Sequence, residues 1–580
     1  MSTRILIIGG ALTLCVAGLI ALSANTPAPQ VVTPATLVVT NARIVTVEDA
    51  QPEAEAIAIA GDRIVALGTS AEIARYVGPS TQVIDAHGRL VTPGFIEGHG
   101  HFTGVGEAQL NLNLMNVTSW DAIVAMVEEA VKTAKPGQWI VGRGWHQEKW
   151  TSAPTPNVEG FPTHASLDRV SPDNPVVLTH ASGHASFVNG KAMELSGITR
   201  ATVNPAGGEV LKDANGEPTG LLRETAEGLI HQTPGSPEER LARARKVLEL
   251  ADREVLSKGI TSFQDAGSSF ATIDLMKTMV DEGAMGVRLW VMVREGNAAE
   301  APKLAQYRMI DYGAGHLTVR AIKRQIDGAL GSRGAWLLEP YTDKRDSTGL
   351  NTTSVDSIRE TAKLAIANGY QLCVHAIGDR ANRETLNIFE EAFKANPDKK
   401  DLRWRVEHAQ HLDPADIPRF GRLGVIASMQ GIHCTSDAPY VPARLGDRRA
   451  KEGAYVWQKL MTSGAIVSNG TDAPVEDVNP IPNYYATVTR KSKDGKVFYP
   501  DQRMSRAEAL KSYTWNAAYA AFEEDSRGSL KVGKYADLIV LSKDITKIPE
   551  DEIPTTEVMF TIVGGKVRYQ REDRPGTPGR

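Results

Sequence analysis

Between residues 90 and 474 the chain repeats one texture, a short strand-like apolar run followed by a stretch of helical periodicity. The runs are LVTPGFIE, GITSFQDAG, LTVRAIKRQID, YQLCVHAIGD, RWRVEHAQ, GVIASMQ and AIVSNGTDAP, with an eighth expected in either QWIVGRGW or PVVLTHAS. Patterns such as DAIVAMVEEAVKTA, PEERLARARKVLELADREVLSKG and SVDSIRETAKLAIANG carry the apolar spacing of amphipathic helices. Alternation of this kind predicts a parallel sheet with helical crossovers, and eight strands are the number that closes a (β/α)8 TIM-type barrel. At 580 residues, 42% of them hydrophobic, the chain is long enough for one barrel and a smaller unit.

The two ends have a different character. Residues 36–91 and 526–580 are rich in β-branched runs broken by turn residues, including a Gly-Gly hairpin signal in VMFTIVGGKVRYQ. They are expected to form the two parts of one β-sandwich flanking a barrel of residues 92–525. Residues from about 105 to 225 exceed one βα unit and read as an insertion over the barrel mouth. Ahead of these, residues 1–24 carry an uncharged run after Arg4 and read as a secretory signal peptide, the alternative being an uncleaved N-terminal membrane anchor; residues 25–35 form a Pro-rich linker. Either route predicts an exported protein, periplasmic or secreted. Loss of Cys15 with a signal leaves Cys373 and Cys434, expected as two buried thiols rather than one bridge. A net charge of −5 offers no basic surface for phosphate backbones, so nucleic acid is not expected as a partner. The sequence leaves the oligomeric state open, a homo-oligomer included.

Polar residues gather at the C-terminal ends of the runs, where a barrel builds its active site. His99 and His101 close the first run, His375 ends LCVHAIGD, His408 ends WRVEHAQ, and Asp472 ends IVSNGTD. The spacing of His99 and His101 aims both imidazoles to one face of a strand. Taken singly, each residue reads as a hydrogen-bonded core histidine or a turn carboxylate. Together they predict a transition-metal site of the zinc type at the mouth, holding one or two divalent ions. The insertion supplies Trp145, His146, Trp150, His180 and His184 as candidates for the substrate pocket, and His433 with Cys434 follow the seventh run. The alternative is that the tryptophans pack the insertion onto the barrel and the histidines cap loops.

Ten stretches in order, PGFIEGHGH, GRGWHQEKW, SGHASFVN, PAGGEVLKDANGEPTGLLRE, GITSFQDAG, IKRQIDGALGSR, VHAIGDRA, RVEHAQ, SNGTDAPV and GSLKVGKYADLIVL, resemble the amidohydrolase superfamily, in the branch that includes N-substituted formamide deformylases. The resemblance runs from about Thr36 to Tyr569. It implies that His99 and His101 bind the more buried metal, that His375 and His408 bind a second, and that Asp472 contacts the first while serving as the catalytic general base. It also implies that Lys323 is carboxylated by CO2 to a carbamate bridging the metals; an ordinary ion pair with Asp327 or Glu339 is the alternative for this lysine. Three positions depart from the pattern: Glu97 where Asp is usual, Arg324 and Gln325 where apolar residues usually follow the lysine, and His146 where an acidic residue is common.

The implied activity is hydrolysis of a C–N amide-type bond in an N-acyl or N-formyl small-molecule substrate by metal-activated hydroxide. Cyclic amide, ester or lactone hydrolysis and deamination share the same attack, and a noncatalytic exported binding protein is a third reading that a missing ligand would signal. None of the six ligand positions is missing. No G-x-S-x-G elbow, phosphate-binding loop or H-E-x-x-H helix supports another catalytic class.

Overall fold

The computed structural model describes residues 33–231 and 236–572. The expected signal or anchor at 1–24, Cys15 with it, most of the Pro-rich linker and the last eight residues lie outside the described residues. Among the described residues no helix is long and apolar enough to cross a membrane.

Eight parallel strands form the body: β1 (Phe95–Gly100), β2 (Ile260–Ser268), β3 (Arg288–Val293), β4 (Leu317–Gln325), β5 (Gln371–Ala376), β6 (Arg405–His408), β7 (Ile426–Met429) and β8 (Val467–Asn469). Each pairs in parallel with the next. The barrel is nearly closed. Its seam is bridged just past β8, where Asp472 N–H donates to His99 O at 2.8 Å and His101 N–H to Ala473 O at 2.7 Å. The sequence runs located seven of these strands, but the remaining one is RLWVMV in β3, not QWIVGRGW or PVVLTHAS. β3 is buried along its whole length and so lacks the alternation that marks a half-exposed strand.

The two rejected runs, Ile140–Trp145 and Val176–His180, pair with each other in a separate six-stranded sheet of the insertion. That sheet has its own core, centred on Trp120, Trp145, Phe161, Leu178 and Phe187. The two ends of the chain share another sheet, in which Leu90–Pro93 lies between Arg43–Val45 and Leu538–Leu541. A second sheet, built on Leu37–Thr40 and Ala56–Ala60, packs over it through Val39, Ile57, Ile59, Val91 and Val540.

The crossover helices follow local rules. Pro237–Ser257 starts with a capping box between Ser236 and Glu239 and a Pro in its first turn, and it buries Val247, Leu248, Ala251 and Val255 along one stripe. Val355–Asn368 is capped by Ser354 and stopped by Gly369 at φ +67°.

Inside the barrel, Ala266, Trp290, Met292, Ala321 and Cys373 form a packed layer. Period-two alternation sets Lys323 two residues above Ala321 and His375 two above Cys373, on the same inward face and nearer the mouth. Cys373 and Cys434 are buried free thiols.

Closure of the barrel limits the side chain at residue 98. A Cβ on Gly98 would lie 2.4 Å from the Asn469 carbonyl oxygen of β8. Gly98→Ala is therefore expected to force the seam apart and destabilise the protein by about 1–3 kcal/mol, read as a lowered midpoint in urea unfolding. An unchanged midpoint would mean that β1 and β8 separate freely.

Candidate metal centre

Four histidines and Asp472 converge at the barrel mouth. His101 Nε2 lies 3.2 Å and His99 Nε2 3.5 Å from Asp472 Oδ1, while His408 Nδ1 lies 3.9 Å from Oδ2. The rings of His99 and His408 are 4.7 Å apart, and those of His408 and His375 are 4.5 Å apart. Nitrogen or oxygen atoms of His99, His408 and Asp472 all fall within 4.8 Å of one another. Lys323 Nζ sits 3.4 Å from His99 Nε2.

The backbone is bent to make this possible. His408 and Asp472 hold φ of +77° and +57°, a left-handed conformation that costs non-glycine residues energy and clusters at functional sites. Glu97 helps to hold the Asp472 loop: its carboxylate accepts from Thr471 N–H at 2.6 Å, Thr471 Oγ1 at 2.9 Å and His99 N–H at 3.2 Å. The departure from Asp at this position thus has a local use, because the longer side chain spans from β1 to the segment after β8.

Electrostatics prepare the donors for a cation. Burial, with the neighbouring cationic groups, brings His99 down to about 4 and His408 and His375 well below the ordinary imidazole value, so all three are neutral. Burial works against the charge of Asp472, but the surrounding imidazoles hold its carboxyl well below the usual range. His375 Nε2 is buried without a hydrogen-bonding partner, and Asp472 Oδ1 has only the imidazole nitrogens of His101 and His99 beside it. Neutral imidazoles around one anionic carboxylate fit a divalent metal, whose ligands must be deprotonated. Burial also lowers Lys323 to about 8, and no carboxylate lies within ion-pair distance of it among the described residues; Asp327 instead accepts three backbone N–H groups.

Two residues that the sequence did not single out stand behind His99. Its Nδ1 donates to Glu407, which in turn is gripped by Arg405 Nε at 2.7 Å and Nη2 at 2.9 Å. A carboxylate on the far side of a ligating imidazole fixes its tautomer and orientation. Gln430 does the same for His408 Nδ1, at 2.8 Å. The signal for Glu407 was its place one residue before His408, on a strand already recognised.

The pocket candidates divide. His184 reaches the centre, its ring 5.1 Å from that of His375. His433 stacks parallel to His408 at 6.4 Å and takes a hydrogen bond from Gln410 at 3.0 Å. His146 stands half-buried at the rim against Tyr440 and His180. Trp145 does not line the mouth: it is fully buried in the insertion core, donates through Nε1 to Leu178 O at 2.7 Å and stacks on Trp150. Trp145 ends the strand and points into the insertion, while His146 turns outward. His180 has both ring nitrogens occupied, by Ser182 and Gln147. Arg324 points away from the barrel axis and is bound by Glu300, Asn297 and Thr361, so it does not disturb the packing of Lys323.

Comparison with known proteins agrees with this architecture. A profile described as "Amidohydrolase family" matches residues 82–569. Protein LONG AFTER FAR-RED 3 of Arabidopsis thaliana is 32% identical over 91% of both chains. An N-substituted formamide deformylase of Arthrobacter pascens is 27% identical over 92% of this chain and 98% of its own. The crystal structure of an uncharacterized metal-dependent hydrolase from Pyrococcus horikoshii superposes with a TM-score of 0.70 at 23% identity, covering 89% of this chain and 99% of that one, which is a likeness of fold. With the match spanning the barrel and the converging donors at its mouth, the chain belongs to the amidohydrolase family, as a metal-dependent hydrolase acting on carbon–nitrogen bonds.

Proposed function

We propose that this protein hydrolyses the amide bond of a small N-acyl substrate, N-formyl amines foremost, in an exported compartment. The observation that carries the reading is the set of imidazoles gathered around the buried Oδ1 of Asp472; the deformylase relative supports the acyl group. His99, His101 and Asp472 would hold one divalent metal, zinc by the nature of the donors, and His375 and His408 a second. Such a metal supplies Lewis acidity, lowering the pKa of water toward neutrality and polarising a carbonyl.

The chain's own groups do the proton work. Asp472, kept anionic, accepts a proton from the attacking water and returns it to the leaving nitrogen. His99 is held in place by Glu407, so its Nε2 lone pair stays aimed inward. Lys323 is suited to carbamate formation: burial brings its value down to about 8, so far more of the neutral amine is present at neutral pH than for an exposed lysine, and that form adds CO2 with release of one proton.

Elemental mass spectrometry of chelator-free protein, wild type against Lys323→Ala, tests the centre, alongside a panel of N-formyl, N-acetyl and cyclic amides. Two metals per chain, falling on the substitution, with turnover of N-formyl amines, is the expected result. One metal unaffected by losing Lys323 would remove the carbamate. A protein without metal or amide turnover would overturn the whole reading.

A further inference from the structure

One stretch singled out in the sequence ends in DGALGSR at 327–333, with Gly334 directly after it, and these residues reach the centre only where Asp327 Oδ1 lies 3.5 Å from His375 Nε2. Gly328 and Gly334 lack the positive φ that would require glycine, so space must be the reason for them. A Cβ on Gly328 would lie 2.1 Å from Glu224 Oε1, and one on Gly334 would lie 2.4 Å from the same atom. The two glycines therefore make a cradle for the Glu224 carboxylate.

Glu224 ends an insertion strand, Pro218–Glu224, that pairs antiparallel with Ala185–Val188. Its backbone is left-handed, with φ +52° and ψ −125°, and its N–H donates to His184 O at 3.0 Å. Its Oε2 accepts from His184 Nδ1 at 2.8 Å, and its Oε1 is buried without a partner. A strained residue in a carved space, holding one nitrogen of an imidazole that lies against His375, is the arrangement by which a third group orients a catalytic histidine. Among the described residues His184 Nε2 has no hydrogen bond to the chain.

We propose that Glu224 is a positioning residue that locks His184 with its proton on Nδ1, so that the insertion presents Nε2 to the substrate beside the metal centre. The proposal rests on the hydrolase reading above for its kinetic consequence, but the lock itself is a property of the resting protein. Gly328 and Gly334 serve the carboxylate, and through it the imidazole.

The test joins nitrogen-15 NMR of the histidine rings, assigned by difference with His184→Gln, to a double-mutant cycle. Expected is a single Nδ1–H tautomer for His184 in wild type, lost in Glu224→Ala. In that variant kcat for the best panel substrate should fall about 10- to 100-fold, with KM and metal content changed little. In a His184→Ala background Glu224→Ala should cost nothing further, because the two act as one unit. Gly334→Ala, which displaces the carboxylate without deleting it, should reproduce the kcat loss.

An unchanged His184 tautomer in Glu224→Ala, or an equal loss with and without His184, would overturn the proposal and leave Glu224 a structural residue. Should wild type loaded with metal hydrolyse no amide in the panel, the functional reading fails while the NMR result still decides the lock.

Discussion

Asp472→Asn is expected to keep its metal and lose turnover, kcat falling by about 10²- to 10⁴-fold. The substitution is well matched to the site. Asp472 sits at φ +57°, and Asn is among the few residues that adopt the left-handed region readily, so the loop should hold its shape. The amide oxygen can still face the space that Oδ1 faces now, between His99 and His101. What Asn cannot do is take a proton, and the surrounding imidazoles keep Asp472 anionic for that purpose. Metal per chain and the kcat of the best amide substrate, measured on the same preparation, give the answer. Full activity in Asp472→Asn would remove the general-base role; loss of metal together with activity would make Asp472 a ligand first.

The fold was legible because a barrel repeats its signal. Seven of the eight strands stood out as apolar runs between helical patterns, and one missing member leaves such a pattern readable. β3 escaped because Arg288–Val293 is buried on both faces, and its five-residue apolar run, Leu289–Val293, has no alternation to read. The runs taken in its place are real strands, but they belong to the insertion sheet. Sequence alone assigns a strand its texture and not its sheet.

The candidate donors could be placed at the mouth for a different reason: a histidine or aspartate at the end of a parallel strand has a place in space as soon as the barrel is assumed. The residues behind them had no such anchor. Glu407 and Arg405 look like an ordinary charged pair, and only burial reveals that both point into the barrel. Glu224 lies far in sequence from His184 and from the glycines that make room for it, so nothing local connects the three. Trp145 shows the converse error: an aromatic residue in a mouth-covering insertion is a fair pocket candidate until the insertion proves to have a core of its own.

Arg405→Met should give the largest loss of stability in the molecule, about 3–5 kcal/mol. Arg405 is fully buried and donates to Glu407, Gln264, Ser428 and the carbonyl of Gly98, tying β6 to β1, β2 and β7 from inside the barrel. Burial opposes the charge of Glu407, yet Arg405 and His99 hold it far below the usual carboxylate range. Removing the guanidinium leaves that carboxylate in a dry interior with one imidazole for company. Adding Glu407→Gln to the same chain removes the stranded charge, so urea unfolding of the metal-free double variant should recover much of the lost stability. Metal affinity should move the other way. An amide at 407 can still accept from His99 Nδ1, as Gln430 does for His408, but without the negative charge that makes the ligating imidazole more basic, and affinity should stay about 10- to 100-fold weaker than wild type. Stability restored while affinity remains low would separate the two tasks of this buried pair, one of charge balance and one of strengthening a ligand. A single Arg405→Met variant as stable as wild type would show that water reaches Glu407 and that the pair bears no structural burden.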